Sequence, residues 1–176
     1  MSEQDQRRAQ LIAVSNSLSR VPEGTRNMVN AFATNMSESE VISKFNENAM
    51  DLFDVLLELE RRMNLSYDIK GLQFMFDKAV KMNRSLPVDK FTLTILEFAA
   101  EIYSGDEEAI INMPLPDAKV SVDKSSGFSL IRSQEFKNIW VTLGANDKSR
   151  LSDIIAKLTT YANVYFVQMI RRTVNK

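Results

Sequence analysis

The sequence predicts an all-α protein, a single-domain bundle of six to seven helices around a buried C-terminal helix. Apolar residues recur at steps of three and four along most of the chain, which is the spacing of one helical face. Only 5 of the 176 residues are Gly and 4 are Pro, too few for a turn-rich β fold. A chain of this length suits one domain, spanning 1–176, with a sizeable core.

The first two helices are separated by a turn. Residues 2–20 are expected to form a first helix, which is peripheral because its first turns are polar. Pro22 and Gly24 end it. We expect Thr25 to cap a second helix that continues to Met36.

The third helix, at 38–63, has the clearest sequence pattern. Ser37 and Glu40 have the spacing of a capping box, which satisfies free amides of a first helical turn. An unbroken apolar seam at alternating steps of three and four follows over three heptads. Its members are Ile42, Phe45, Ala49, Leu52, Leu56, Leu59 and Met63. This helix and the final one are predicted to be the longest.

Two further helices are predicted in the middle of the chain. The first runs from Ile69 to Val80 and is amphipathic. The second begins near Pro87, which is tolerated in a first turn, and ends before Gly105, a residue type common just after a helix.

The segment 118–131 differs from the rest of the chain. Val120 and Val122 alternate with polar residues, and a turn-like stretch separates them from Phe128 and Leu130, which alternate again. This pattern indicates a short β-hairpin, and a long ordered loop is the alternative.

The final helix, at 147–173, is the predicted centre of the bundle. Ser133 opens a short helix before it, and Asn146 or Asp147 is expected to cap it. Its segment Tyr161–Ile170 is apolar on nearly every side, so the earlier helices must cover it on every side.

Charge is distributed unevenly along the chain. Residues 35–118 carry 8 Lys and Arg against 16 Asp and Glu, whereas 119–176 carry 10 against 4. Two candidate interaction faces follow from this asymmetry. The acidic face comprises Glu47, Asp51, Asp54 and Glu58, and the basic face comprises Lys148, Arg150, Lys157, Arg171 and Arg172. The alternative is that the acidic and basic parts of the chain neutralise each other within one fold.

The residue inventory argues against catalysis. The chain has no His and no Cys, which removes the usual general base and the usual transition-metal ligands. Its five glycines lie too far apart for a phosphate-binding loop. The acidic face has the ligand type for Mg²⁺ or Ca²⁺, but an exposed helix face holds ions weakly. We therefore expect that the protein has no enzymatic activity and binds no metal or cofactor.

These observations favour a non-enzymatic interaction or assembly subunit, a structural, scaffold or adaptor component, with a virus or phage particle as one candidate setting. Its partner is another protein or a second copy of itself. The alternative is a nucleic-acid-associated regulatory protein that uses the basic C-terminal third, with Trp140, Tyr161 or Tyr165 stacking on bases. No segment has the length of a membrane span, so the expected location is the cytoplasm or a particle assembled there.

Overall fold

A computed structural model describes residues 2–64, 68–108 and 133–175. Within these ranges the chain is mostly helical and has no strand, which confirms the all-α prediction. The helices are α1 (Glu3–Ser19), α2 (Glu23–Asn35), α3 (Glu38–Met63), α4 (Ile69–Met82), α5 (Leu86–Leu96), α6 (Ala99–Ser104), α7 (Ser133–Val141) and α8 (Ala145–Val174). The hairpin or loop predicted at 118–131 lies outside the described residues.

The described residues hold eight helices rather than six or seven, because the helix predicted between Pro87 and Gly105 is divided into α5 and α6. The amide of Ala100, in the first turn of α6, donates to Ser17 Oγ of α1 at 3.1 Å. The break therefore leaves a donor free, and a buried side chain of another helix satisfies it. Gly105 ends α6 with φ +69°, as predicted for a residue just after a helix.

The third helix has the predicted start. The amide of Glu40 donates to Ser37 Oγ at 3.1 Å, and the Ser37 hydroxyl lies 3.2 Å from Glu40 Oε1. At the other end Asn64 adopts the left-handed conformation, with φ 54°, and terminates the helix. The heptad seam between these ends is buried, except for the partly exposed Met63.

Two predicted helix starts are wrong by two or three residues. The second helix begins at Glu23 rather than after Thr25, because Pro22 occupies the N-cap position and its carbonyl accepts the first helical hydrogen bond, from the amide of Arg26 at 3.0 Å. The last helix begins at Ala145, and Asp147 lies inside its first turn. The carboxylate of Asp147 is bound instead by the guanidinium of Arg62, which lies at the C-terminal end of α3.

Helix α8 is the centre of the bundle and packs against α2, α3, α5 and α6. Tyr165 and Phe166 are only 5% and 8% exposed, as the prediction requires. Ile170, predicted to be buried, is 45% exposed, because the C-terminal end of α8 extends beyond the helices that cover it.

The polar residues within the apolar part of α8 have structural roles. The Gln168 amide donates to the carbonyls of Ala33 and Met36 at 3.2 and 2.8 Å, and so satisfies the C-terminal end of α2. Tyr103 of α6 forms a 2.8 Å hydrogen bond with Thr160. The Tyr165 hydroxyl donates to Asp89 of α5, and burial together with this carboxylate raises the pKa of Tyr165. These polar residues join α8 to its neighbours.

Helices α3 and α4 run antiparallel, and their contacts fix the relative height of every residue along the pair. The Gln73 amide donates to Asp54 at 2.8 Å, and the amide of Ile69 donates to Glu60 at 3.2 Å. At the other end Asn46 donates to the carbonyl of Arg84 at 3.0 Å. Between these polar contacts the rings of Phe53 and Phe76 pack with their centroids 5.5 Å apart.

Candidate interaction surface

All four residues of the acidic face are exposed on α3, but their neighbours differ. Glu47 lies 3.4 Å from Lys44 of the same helix, and Asp54 accepts the hydrogen bond from Gln73. Asp51 forms no ion pair with any described residue. The acidic face is therefore only partly neutralised.

Glu58 joins the acidic face to the basic face. Arg150 of α8 reaches it with both guanidinium nitrogens, Nη2 at 2.7 Å from Oε2 and Nη1 at 3.4 Å from Oε1. This hydrogen bond, followed by the charge of Arg150, lowers the pKa of Glu58, and the same contact raises the pKa of Arg150. At this point the acidic and basic parts of the sequence pair within one chain.

The other members of the basic face are also mostly engaged. Arg172 lies 2.7 Å from Glu38, at the start of α3, and Arg171 donates to Thr34 Oγ1 at 3.0 Å. Lys148 pairs with Glu107 and lies 5.9 Å from the centre of the Trp140 ring. Lys157 is exposed and has no ion pair within the described ranges. The five cations thus do not form one continuous unpaired patch.

The outer face of α4 carries features that the charge pattern did not single out. Lys70, Phe74, Lys78 and Met82 follow one another at steps of four residues, so they lie on one side of the helix. Phe74 is 66% exposed and Met82 is 76% exposed, although both are large apolar side chains. Lys81 is exposed beside them and pairs with Asp77 at 3.0 Å. We call Lys70, Lys78 and Lys81 the lysine row.

An open groove of about 420 Å³ lies between α3 and α4. Met50, Phe76 and Val80 supply its apolar lining, and Glu47, Asp51 and Asp77 supply acidic groups. Arg84 closes one end, where it donates to the backbone carbonyl and the hydroxyl of Ser39, each at 3.3 Å. We call the acidic face, the groove and the outer side of α4 together the α3–α4 face.

The sequence contained a signal for this face. An amphipathic reading of α4 places Leu72, Phe76 and Ala79 inside, and Phe74 and Met82 then fall on the polar side. Apolar residues that recur on the polar side of an amphipathic helix indicate a second contact surface. The lysines between them belong to the acidic middle of the chain, and the regional charge sum concealed them.

The described ranges offer no group of three or more acidic side chains placed to hold a metal ion. The acidic face in particular has two members already bound to a nitrogen of another helix, Asp54 to Gln73 and Glu58 to Arg150. In the same ranges, no helix combines the length and the apolar character needed to cross a bilayer.

The fold and this surface place the chain among all-α proteins that carry a charged and partly apolar outer face. The chain is 39% identical over 168 residues to "Uncharacterized protein R465" of Acanthamoeba polyphaga mimivirus, an alignment that covers 94% of this chain and 92% of the relative. The chain therefore belongs to the same family as this mimivirus protein. No family model and no solved structure matches it.

Proposed function

We propose that this protein is a non-enzymatic interaction or assembly subunit of a virus, a structural, scaffold or adaptor component that works through contacts with other protein surfaces. It acts in the cytoplasm or inside a particle assembled there. Its kinship with a mimivirus protein over nearly the whole chain supports the viral setting. The exposed side of α4 supports the interaction role.

The observation that carries the proposal is the exposure of Phe74 and Met82, at 66% and 76%. The opposite side of the same helix is packed, with Ile69 and Phe76 at 0% and 2% exposure. A large aromatic side chain that is 66% exposed between lysines contributes little to the packing of the monomer, whereas aromatic anchors contribute strongly to protein interfaces.

The alternative, a nucleic-acid-associated regulatory protein, has less support. Of the cations on the basic face, Arg150, Lys148 and Arg172 are paired with carboxylates of the same chain. Trp140 and Tyr165, two aromatics considered for base stacking, are 2% and 5% exposed. Phosphate and base contacts would require both sets to be released first.

The proposal is tested by isolating the tagged 176-residue chain from its natural host cells after mild cross-linking. Three forms are compared: the native chain, Phe74→Asp, and the matched control Val141→Asp, which changes a 63% exposed side chain on α7. We expect a complex of fixed stoichiometry with the native chain and with Val141→Asp, and its loss with Phe74→Asp. Circular dichroism verifies that both variants keep their helices.

A chain recovered alone in every preparation would overturn the proposal, and so would a complex that survives Phe74→Asp unchanged. The absorbance ratio at 260 and 280 nm is recorded on the same material. Bound nucleic acid that dissociates steeply with salt would favour the alternative function.

A further inference from the structure

The α3–α4 face carries opposite charges on its two helices at matching heights. Gln73 lies level with Asp54, and Ile69 lies level with Glu60. Because the two helices are antiparallel, each lysine of the lysine row on α4 lies at the height of a residue of the acidic face on α3. Lys70 lies near the level of Glu58, Lys78 near that of Asp51, and Lys81 near that of Glu47.

These two rows do not neutralise each other within the chain. Among the described residues, Asp51 and Lys78 form no ion pair, and Lys81 pairs with Asp77 of its own helix. Both rows are exposed to solvent on these two adjacent helices. Such a surface is complementary to a second copy of itself when the copy is oriented so that its lysine row faces the acidic face of the first.

We propose that the α3–α4 face is a dimer interface between two copies of this chain, related by a two-fold axis that runs parallel to the two helices. Rotation about this axis places α3 of one copy over α4 of the other and leaves heights along the helices unchanged. Asp51 then meets Lys78 of the partner, and the partner's Asp51 meets Lys78. A two-fold axis across the helices would instead place acid on acid, which charge repulsion disfavours. The inference rests on the proposed function and names its partner.

The apolar side chains supply the rest of the contact. Phe74 and Met82 stand among the lysines of α4, and in this dimer they cover α3 of the partner beside its groove. The two helices, about 18 Å long over the lysine row, present roughly 400 Å² per copy. Stable interfaces bury about 800 Å² per partner, so the expected dimer is weak and salt-sensitive.

Charge-reversal variants test this dimer geometry specifically. In Asp51→Lys each copy would present lysine to the partner's Lys78, and in Lys78→Glu each would present glutamate to the partner's Asp51. Each variant alone is therefore expected to sediment as a monomer. A mixture of the two is expected to form a dimer again, because both contacts in the mixed pair then join opposite charges.

The matched controls are Asp153→Lys on α8 and Arg26→Glu on α2, which reverse exposed charges that lie outside the α3–α4 face and outside the basic face. Sedimentation velocity of the purified 176-residue chain at low salt should show a dimer for the native form and for both controls. Its dissociation constant should rise at least tenfold in either α3–α4 variant and recover in their mixture. High salt should weaken the native dimer.

Three results would overturn the inference. The first is a native chain that remains monomeric at low salt at every concentration tested. The second is a dimer that persists in Asp51→Lys and Lys78→Glu, and the third is a mixture of these variants that does not form a dimer. None of these results bears on the isolation from host cells, where a complex with a different protein would still uphold the proposed function.

Discussion

The α3–α8 contact and the α3–α4 face use the same acidic helix in opposite ways. Where α8 runs alongside α3, Arg150 binds Glu58 and Arg172 binds Glu38, so charges that are far apart in sequence neutralise each other inside the chain. On the α3–α4 face, Asp51 and Lys78 lie on adjacent helices, and no ion pair of the described residues includes either of them. Charge asymmetry in a sequence therefore indicates contacts, and the three-dimensional arrangement decides whether they form within one molecule or between molecules.

The largest expected effect separates the two sides of α4. Phe76→Ala should lower the free energy of unfolding by about 3–5 kcal/mol, because it empties a buried site against Phe53. Phe74→Ala, two residues away, should change it by less than about 0.5 kcal/mol, since that ring is in water. Urea unfolding followed by circular dichroism measures both. Similar losses in the two variants would mean that Phe74 also supports the monomer.

The next effect concerns the internal side of α8. Gln168→Ala should lower the free energy of unfolding by about 1–2 kcal/mol, because the carbonyls of Ala33 and Met36 lose their buried donor. Gln73→Ala removes a similar amide, but one that bonds Asp54 at the surface, and it should have a smaller effect. Urea unfolding of both variants at one pH makes the comparison. Equal effects would show that burial does not distinguish the two contacts.

The smallest effect tests the pairing of the acidic and basic faces. The pKa of Glu58 is lowered, so the stabilisation from its contact with Arg150 is present above its ordinary value of 4.5 and is lost as pH falls through the lower pKa. Glu58→Gln should thus reduce stability at neutral pH, and this difference from the native chain should disappear in acid and shrink in high salt. Glu47→Gln, whose partner Lys44 is on the same helix, serves as the control. A difference that is independent of pH would contradict the role of charge.

Much of the fold could be predicted from the sequence. The heptad seam of α3 and the apolar end of α8 are local periodic patterns, and their spacing is sufficient to place most of their residues inside, with Met63 and Ile170 at the helix ends as exceptions. The break between α5 and α6 could not be predicted, because it depends on Ser17, which is distant in sequence and contacts Ala100 only in the folded chain. The start of α8 could not be predicted for the same kind of reason, since Asp147 binds Arg62, which is distant in sequence.

The candidate surface was predictable in part. The residues of the acidic and basic faces are exposed or half-exposed, as charged residues generally are, and their role as interaction sites stays a prediction. Phe74 and Met82 could have been noticed from their place on the polar side of α4. The pairing of Glu58 with Arg150 could not, because 92 residues separate the two.

The sequence by itself determined which segments are helical and which side of each is apolar, because both depend on spacing within a few turns. Only the tertiary structure decided how the helices lie against one another. That arrangement in turn decides which charges are neutralised within the chain and which remain available to a partner. The physical reason is the distance along the chain over which each feature is determined. A helical pattern is set by neighbours three and four residues apart. An ion pair instead needs two side chains within a few ångströms of each other, and only the packing of the whole chain creates that condition.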